Sequence, residues 1–272
     1  MTALPKYLLA LAAVVLPASA DCVVIRHDVP DARYRVPDNF YPPLADLPIE
    51  GHGVLIASSW VVTAAHAVSW QSEPIKTVTI AGRERRVARV FVNPGFEKPP
   101  ADIKGDAAPL MALLLRERDI ALIELSEPVT DVTPAPIYSA GSECGKRAEI
   151  IGKGATGNGK TGQADDAPHR TVLRRAFNRI DGCEGAWLTY QFDGGRNALP
   201  LEGMLGNGDS GGPVLIKDHG IWKLAGLASW KWWDGDIAAF RAGIYGQRSY
   251  QVRLSYYRDW LKAVMAGKET PN

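Results

Sequence analysis

Three short segments carry side chains able to do nucleophilic chemistry: Trp60-Val-Val-Thr-Ala-Ala-His66-Ala67, Arg118-Asp119-Ile-Ala-Leu-Ile-Glu-Leu125 and Gly208-Asp209-Ser210-Gly211-Gly212-Pro213. A serine hydroxyl is a poor nucleophile near neutral pH and needs a base at hydrogen-bond distance. Imidazole suits that work, because its pKa lies near working pH and it can take a proton and later return it. Taken singly, His66 reads as a packed or surface histidine, Asp119 as a strand-edge carboxylate and Ser210 as a turn residue. Their information lies in occurring together, each beside a strand-like apolar stretch.

A second motif points elsewhere. Gly154-Ala-Thr-Gly-Asn-Gly159-Lys160-Thr161 fits the phosphate-loop pattern, and Gly152-Lys-Gly154-Ala-Thr-Gly157 fits the dinucleotide fingerprint. Both need a strand before and a helix after, since the helix N-terminus supplies the amides that face phosphate. The strand is present at Ala148 to Ile151, but Gly162, Asp165, Asp166 and Pro168 follow without apolar periodicity. The segment therefore reads as a glycine-rich loop after a strand, not a nucleotide site.

The elements that must position the three segments are mostly strands. Val- and Ile-rich stretches recur at Gly53 to Ile56, Trp60 to Thr63, Val87 to Val92, Ile120 to Leu125, Ala148 to Ile151, Pro213 to Ile216 and Lys223 to Trp230, separated by Gly, Pro, Asn and Asp. Many short strands between turn residues predict an all-β barrel or sandwich rather than βαβ units. Two helices are expected. One covers Leu110 to Arg118; the other follows Ser255, with Tyr257, Trp260, Leu261 and Val264 on one face and Gly267 ending it. Pro128 to Gly141 is the expected linker between two halves, 21–135 and 136–272.

Residues 1–20 read as a secretory signal: Lys6, the apolar run Tyr7 to Leu16, then Pro17 and Ala18-Ser19-Ala20. Ten apolar residues rise about 15 Å as a helix, half of a bilayer core, so no membrane span is expected. Cleavage is predicted after Ala20, giving a secreted or periplasmic protein. The whole chain has 272 residues with net charge +1, and losing Lys6 balances the charges, so nothing suggests a nucleic-acid partner. In an oxidising compartment Cys22, Cys144 and Cys183 allow one bridge and one leftover thiol. No cysteine or histidine spacing suggests a metal site. His27, His52, His169 and His219 read as surface residues.

At this point the chain resembles the trypsin-like, chymotrypsin-fold serine peptidases. Segments of the type TAAH, DIAL and GDSGGP stand here in that family's order of His, Asp and Ser. The resemblance implies two antiparallel six-stranded β-barrels with a C-terminal α-helix and the cleft between the barrels. It implies His66 as general base and acid, Asp119 as the orienting carboxylate and Ser210 as the nucleophile, with the N–H groups of Gly208 and Ser210 facing the oxyanion. The implied activity is cofactor-free endopeptidase cleavage of protein or peptide substrates by a monomer. A catalytically silent relative acting as a binding or adhesion protein is the alternative. Asn93-Pro-Gly-Phe96, Gly152-Lys-Gly154 and the segment from Arg253 to Leu261 are similar to further family landmarks.

The chain also departs from the family. Ala67 and Gly206 replace cysteines of two common bridges, whereas Cys22 and Cys144 sit where some members join the N-terminal segment to the inter-barrel linker, so that pair is expected with Cys183 free. Met204 stands six residues before Ser210, where trypsin-type members carry the pocket aspartate, which removes the basis for an Arg or Lys preference. Ser229, Trp230 and Lys231 fall on the substrate-pairing strand. Lys231 replaces a usual glycine, and would narrow the pocket, favour an acidic group or point to solvent. The tryptophans at 230, 232 and 233 read as packing. The insertion from Pro99 to Glu117 reads as a surface elaboration, with an overhang of the cleft as the alternative. The family pairs Asp209 with a newly cut N-terminus. Ile25, Val36 and Ile49 are weak candidates for that residue, which leaves room for a different partner.

Overall fold

The computed structural model describes residues 23–100, 102–164 and 172–268. The expected signal segment, Cys22 and His169 lie outside the described residues. The chain enters on β1 (Val23–Ile25), followed by β2 (Leu44–Asp46), β3 (His52–Ala57) and β4 (Trp60–Thr63). Helix α1 (Ala65–Ser69), β5 (Thr77–Ile80), β6 (Arg83–Val92), helix α2 (Ala108–Arg116) and β7 (Ala121–Leu125) complete the first half. Strands β2-β3-β4-β7-β6-β5 close into a barrel. Its interior is filled by Leu47, Leu55, Val61, Ile80 and Ile123, all fully buried. Alternation explains this, since Thr77-Val-Thr-Ile80 points Val78 and Ile80 inward and the threonines outward.

The second half holds β8 (Arg147–Gly152), β9 (Thr156–Asn158), β10 (Gly162–Gln163), β11 (Arg174–Arg179), β12 (Gly182–Glu184) and β13 (Trp187–Gln191). Then come β14 (Gly203–Met204), β15 (Pro213–Asp218), β16 (Ile221–Lys231), β17 (Arg248–Arg253) and helix α3 (Arg258–Met265). Here seven strands, β11-β8-β15-β16-β17-β13-β12, form one open half-barrel, where the likeness implied a six-stranded barrel. A smaller sheet, β10-β9-β1-β14, buries the N-terminal strand between β9 in parallel and β14 antiparallel. The phosphate-loop look-alike is thus the β9–β10 hairpin, with strands where a nucleotide site would need a helix.

Tight turns set the strand registers. The β15–β16 loop has two residues, His219 at φ 46° and Gly220 at φ 85°, the left-handed pair that matches strand twist. α3 forms as expected, with Leu261 and Val264 buried. Ser255 does not cap it, because its hydroxyl donates to Glu143 Oε1 at 2.5 Å. One apolar cluster runs from Phe91, Ile120 and Leu122 of the first half to Leu215, Trp230 and Leu261 of the second, so the halves share a core.

Two expectations are corrected. Cys144 is bonded to Cys183, with their Cα atoms 5.7 Å apart, so the Cys22–Cys144 pair does not form. Cys183 lies on β12, and the pairing of β12 with β13 and of β11 with β8 folds it back beside Cys144. The insertion before Asp119 is no loose elaboration. Ala107 N donates to Gly235 O at 2.8 Å, and Trp187 Nε1 donates to Leu115 O at 2.9 Å, so α2 is fastened to the second half.

Candidate active site

His66 sits in the first turn of α1, just after β4, and Asp119 lies two residues before β7, the neighbour of β4. This adjacency closes a tight contact. The Asp119 carboxylate accepts from the His66 backbone N–H at 2.8 Å and lies 2.7 Å from His66 Nδ1. Ser229, from β16 of the other half, donates to Asp119 Oδ2 at 2.5 Å. Asp119 is fully buried. Burial pushes its carboxyl up, but the His66 ring and the Ser229 hydroxyl outweigh this and hold it below the ordinary carboxylate value. An ionised Asp119 can only accept, so His66 carries its proton on Nδ1 and leaves the Nε2 lone pair free. Trp70 covers the ring, with centroids 4.9 Å apart.

Ser210 comes from the β14–β15 connection and lines the same cleft as His66. Two positive-φ glycines shape this turn, Gly208 at 84° and Gly211 at 74°. A Cβ on Gly211 would sit 2.2 Å from His52 O and 2.3 Å from Thr63 Oγ1, so only glycine lets the halves approach this closely. Among the described residues, the N–H groups of Gly208 and Ser210 donate to no protein acceptor. The first half grips the turn from below: His52 N donates to Ser210 O at 2.7 Å and Gly51 N to Gly208 O at 3.2 Å.

His52 is the main surprise. Expected on the surface, it is fully buried. Its Nδ1 is 3.1 Å from Asp46 Oδ1, and its Nε2 is 3.7 Å from Asp209 Oδ1, an ion-pair distance rather than a hydrogen bond. Burial pulls its pKa down, but Asp209 and Asp46 on either side outweigh this and raise it. Asp209 also accepts from Gly154 N at 2.6 Å and Gly206 N at 2.8 Å. Lys153 reaches Asp46 Oδ2 at 3.1 Å. Asp46 is pushed up by burial and pulled down further by His52 and Lys153, to about 2.

The cleft in front of Ser210 has a volume of about 1020 Å³. α2 forms one wall through Leu110, Met111 and Leu114, facing Trp230 and Trp233. Trp230 stacks on Tyr250 with ring centroids 3.8 Å apart, so it is both packing and wall. Lys231 ends β16 and also lines the cleft, whereas Met204 does not: fully buried in β14, it pairs with Val24 and is core. Glu117 had no signal in the sequence beyond its proximity to Asp119. It is 3% exposed and lines the cleft, and burial, then Asp119 and Glu97, push its carboxyl up to about 9. That wall is therefore uncharged at neutral pH.

The comparisons agree with this architecture. Mouse neuropsin, solved as a serine protease, superposes with a TM-score of 0.61 at 20% identity, covering 85% of this chain and 98% of neuropsin. Mouse transmembrane protease serine 11C is 26% identical over 76% of this chain, and pig complement C1s subcomponent is 27% identical over 81%. This chain spans only 46% and 33% of those two relatives' own lengths. The family profile described as Trypsin matches residues 34–261, most of the chain, which therefore belongs to the trypsin family of serine proteases.

Proposed function

We propose that the protein is an exported serine endopeptidase acting on protein or peptide substrates. The observation that carries this reading is the buried Asp119 held by His66 and Ser229, both of which line one cleft together with Ser210. In the reaction His66 Nε2 takes the Ser210 proton as Oγ attacks the scissile carbonyl. The N–H groups of Gly208 and Ser210 receive the oxyanion; one such donor contributes roughly 3–4 kcal/mol to the transition state. His66 then protonates the leaving amine, and water releases the acyl group by the reverse sequence. Asp119 stabilises the imidazolium throughout. The apolar wall of α2 suits an extended peptide bearing bulky side chains. Export with cleavage after Ala20 and a monomeric state complete the proposal; intact-mass analysis tests the first.

A silent binding protein on the same fold is the competing reading, because Lys231 narrows the space beside Ser210. Fluorophosphonate separates the two. Stoichiometric labelling at Ser210, together with a loss of about six orders of magnitude in turnover for Ser210→Ala, is the expected result. Folded protein that resists labelling is the binder.

A further inference from the structure

Beside Ser210 the cleft deepens into a small cavity of about 40 Å³, lined mainly by polar groups from Gly206, Asn207, Ser229, Lys231 and Ser249. A water-sized site takes roughly 10–15 Å³, so the cavity holds about three heavy atoms. That matches a carboxylate and excludes an indole. Among the described residues, Lys231 is the only one on its wall with a charged side chain.

The charge of Lys231 is unanswered. Among the described residues, no carboxylate lies within 4.0 Å of its ammonium and no acceptor hydrogen-bonds it. The acid that acts on it through space is Asp209, already engaged by two backbone N–H groups and His52. Burial pulls its pKa down to about 8, so it remains mainly protonated at neutral pH. Lys231 is half-buried, so its ammonium is less well hydrated than one in open water, and a ligand that brings a carboxylate answers its charge. The neutral Glu117 offers no repulsion to an acid entering the cleft.

We infer that Lys231 is a specificity-determining residue that receives a substrate Asp or Glu side chain, on the acyl side of the bond cleaved by Ser210. The inference rests on the proposed acyl-enzyme mechanism for the position of the scissile bond. It needs no turnover for its test. An Ala-Leu-Ala-Glu peptide amide and its Gln isostere are titrated into Ser210→Ala protein and followed by NMR. The Glu peptide should bind at least tenfold more tightly, which is about 1.4 kcal/mol. Lys231→Met should erase the difference, and Lys231→Glu should favour the corresponding Arg peptide. Thermal melting verifies that each variant is folded, and Lys231→Gln serves in place of one that is not. Equal binding of the Glu and Gln peptides, or a preference that survives Lys231→Met, overturns the inference. Labelling of the wild type by fluorophosphonate without a Glu preference would sink the inference alone. A Glu preference without labelling would sink the enzyme reading alone.

Discussion

Replacing His52 by leucine removes the one cationic side chain between Asp46 and Asp209. Breaking a buried pair by deleting one partner costs about 3–5 kcal/mol. The lower end applies here, because Asp46 keeps Lys153 at 3.1 Å and Asp209 keeps the N–H groups of Gly154 and Gly206. For a chain of this length about 3 kcal/mol lowers Tm by roughly 6–12 °C. The pH dependence is the sharper signature. The folded pKa of His52 is raised, so its contribution is fully present below the unfolded value of about 6.5 and is lost as pH climbs through the folded value. Asp46 is lowered to about 2, so its contribution is present above its ordinary value of 3.8 and is lost toward pH 2. The gap between wild type and His52→Leu is therefore widest between roughly pH 4 and 6.5 and narrows on the alkaline side. Thermal melts at pH 5.5 and 8.5 read it directly. A gap of the same size at both pH values, or one below about 1 kcal/mol at pH 5.5, would refute the charge argument.

Ser229→Ala deletes one hydrogen bond to the buried Asp119 carboxylate; a bond to a charged group is worth about 1.5–3 kcal/mol. Melting should fall by roughly 3–12 °C and turnover of the still-folded variant roughly 10- to 100-fold; full turnover in the folded variant would show the assignment to be wrong. Cys183→Ser opens a loop of 39 residues, which the chain-entropy model values at about 4 kcal/mol. Non-reducing peptide maps of the wild type should join Cys144 to Cys183, and urea denaturation should show the variant's loss.

The residues of the proposed reaction were legible because chemistry restricts them to a few types in short segments beside strands. The seven strands read from the sequence and the two longer helices, α2 and α3, were legible for a related reason: apolar period and turn residues act over a few positions, as at Lys223 to Trp230 and Tyr257 to Val264, whereas the short α1 carrying His66 has no such period. His52 was not. Its burial depends on Asp46 and on Asp209, 157 residues later, and no local pattern encodes that meeting. The disulfide escaped for the same reason, since the partner of Cys144 is chosen by how β11 and β12 pair in space. Met204 carried the right spacing for a pocket floor but belongs to a core strand. The segment from Pro99 to Glu117 contained its apolar face in plain view; what α2 would cover depended on Gly235 and Trp187 reaching across from the other half.

The seam between the halves has a further consequence. Ser229 of one half holds Asp119 of the other, and His52 and Gly51 hold the carbonyls of Ser210 and Gly208 across the same line. The groups of the proposed reaction thus work as a vernier, whose alignment reads the relative seating of the two halves. A sub-ångström slip along that line silences the groups while circular dichroism still reports folded sheets. Under heat or denaturant, inactivation should therefore run ahead of melting, and rejoining the seam is the last event by which the folded chain becomes a working one.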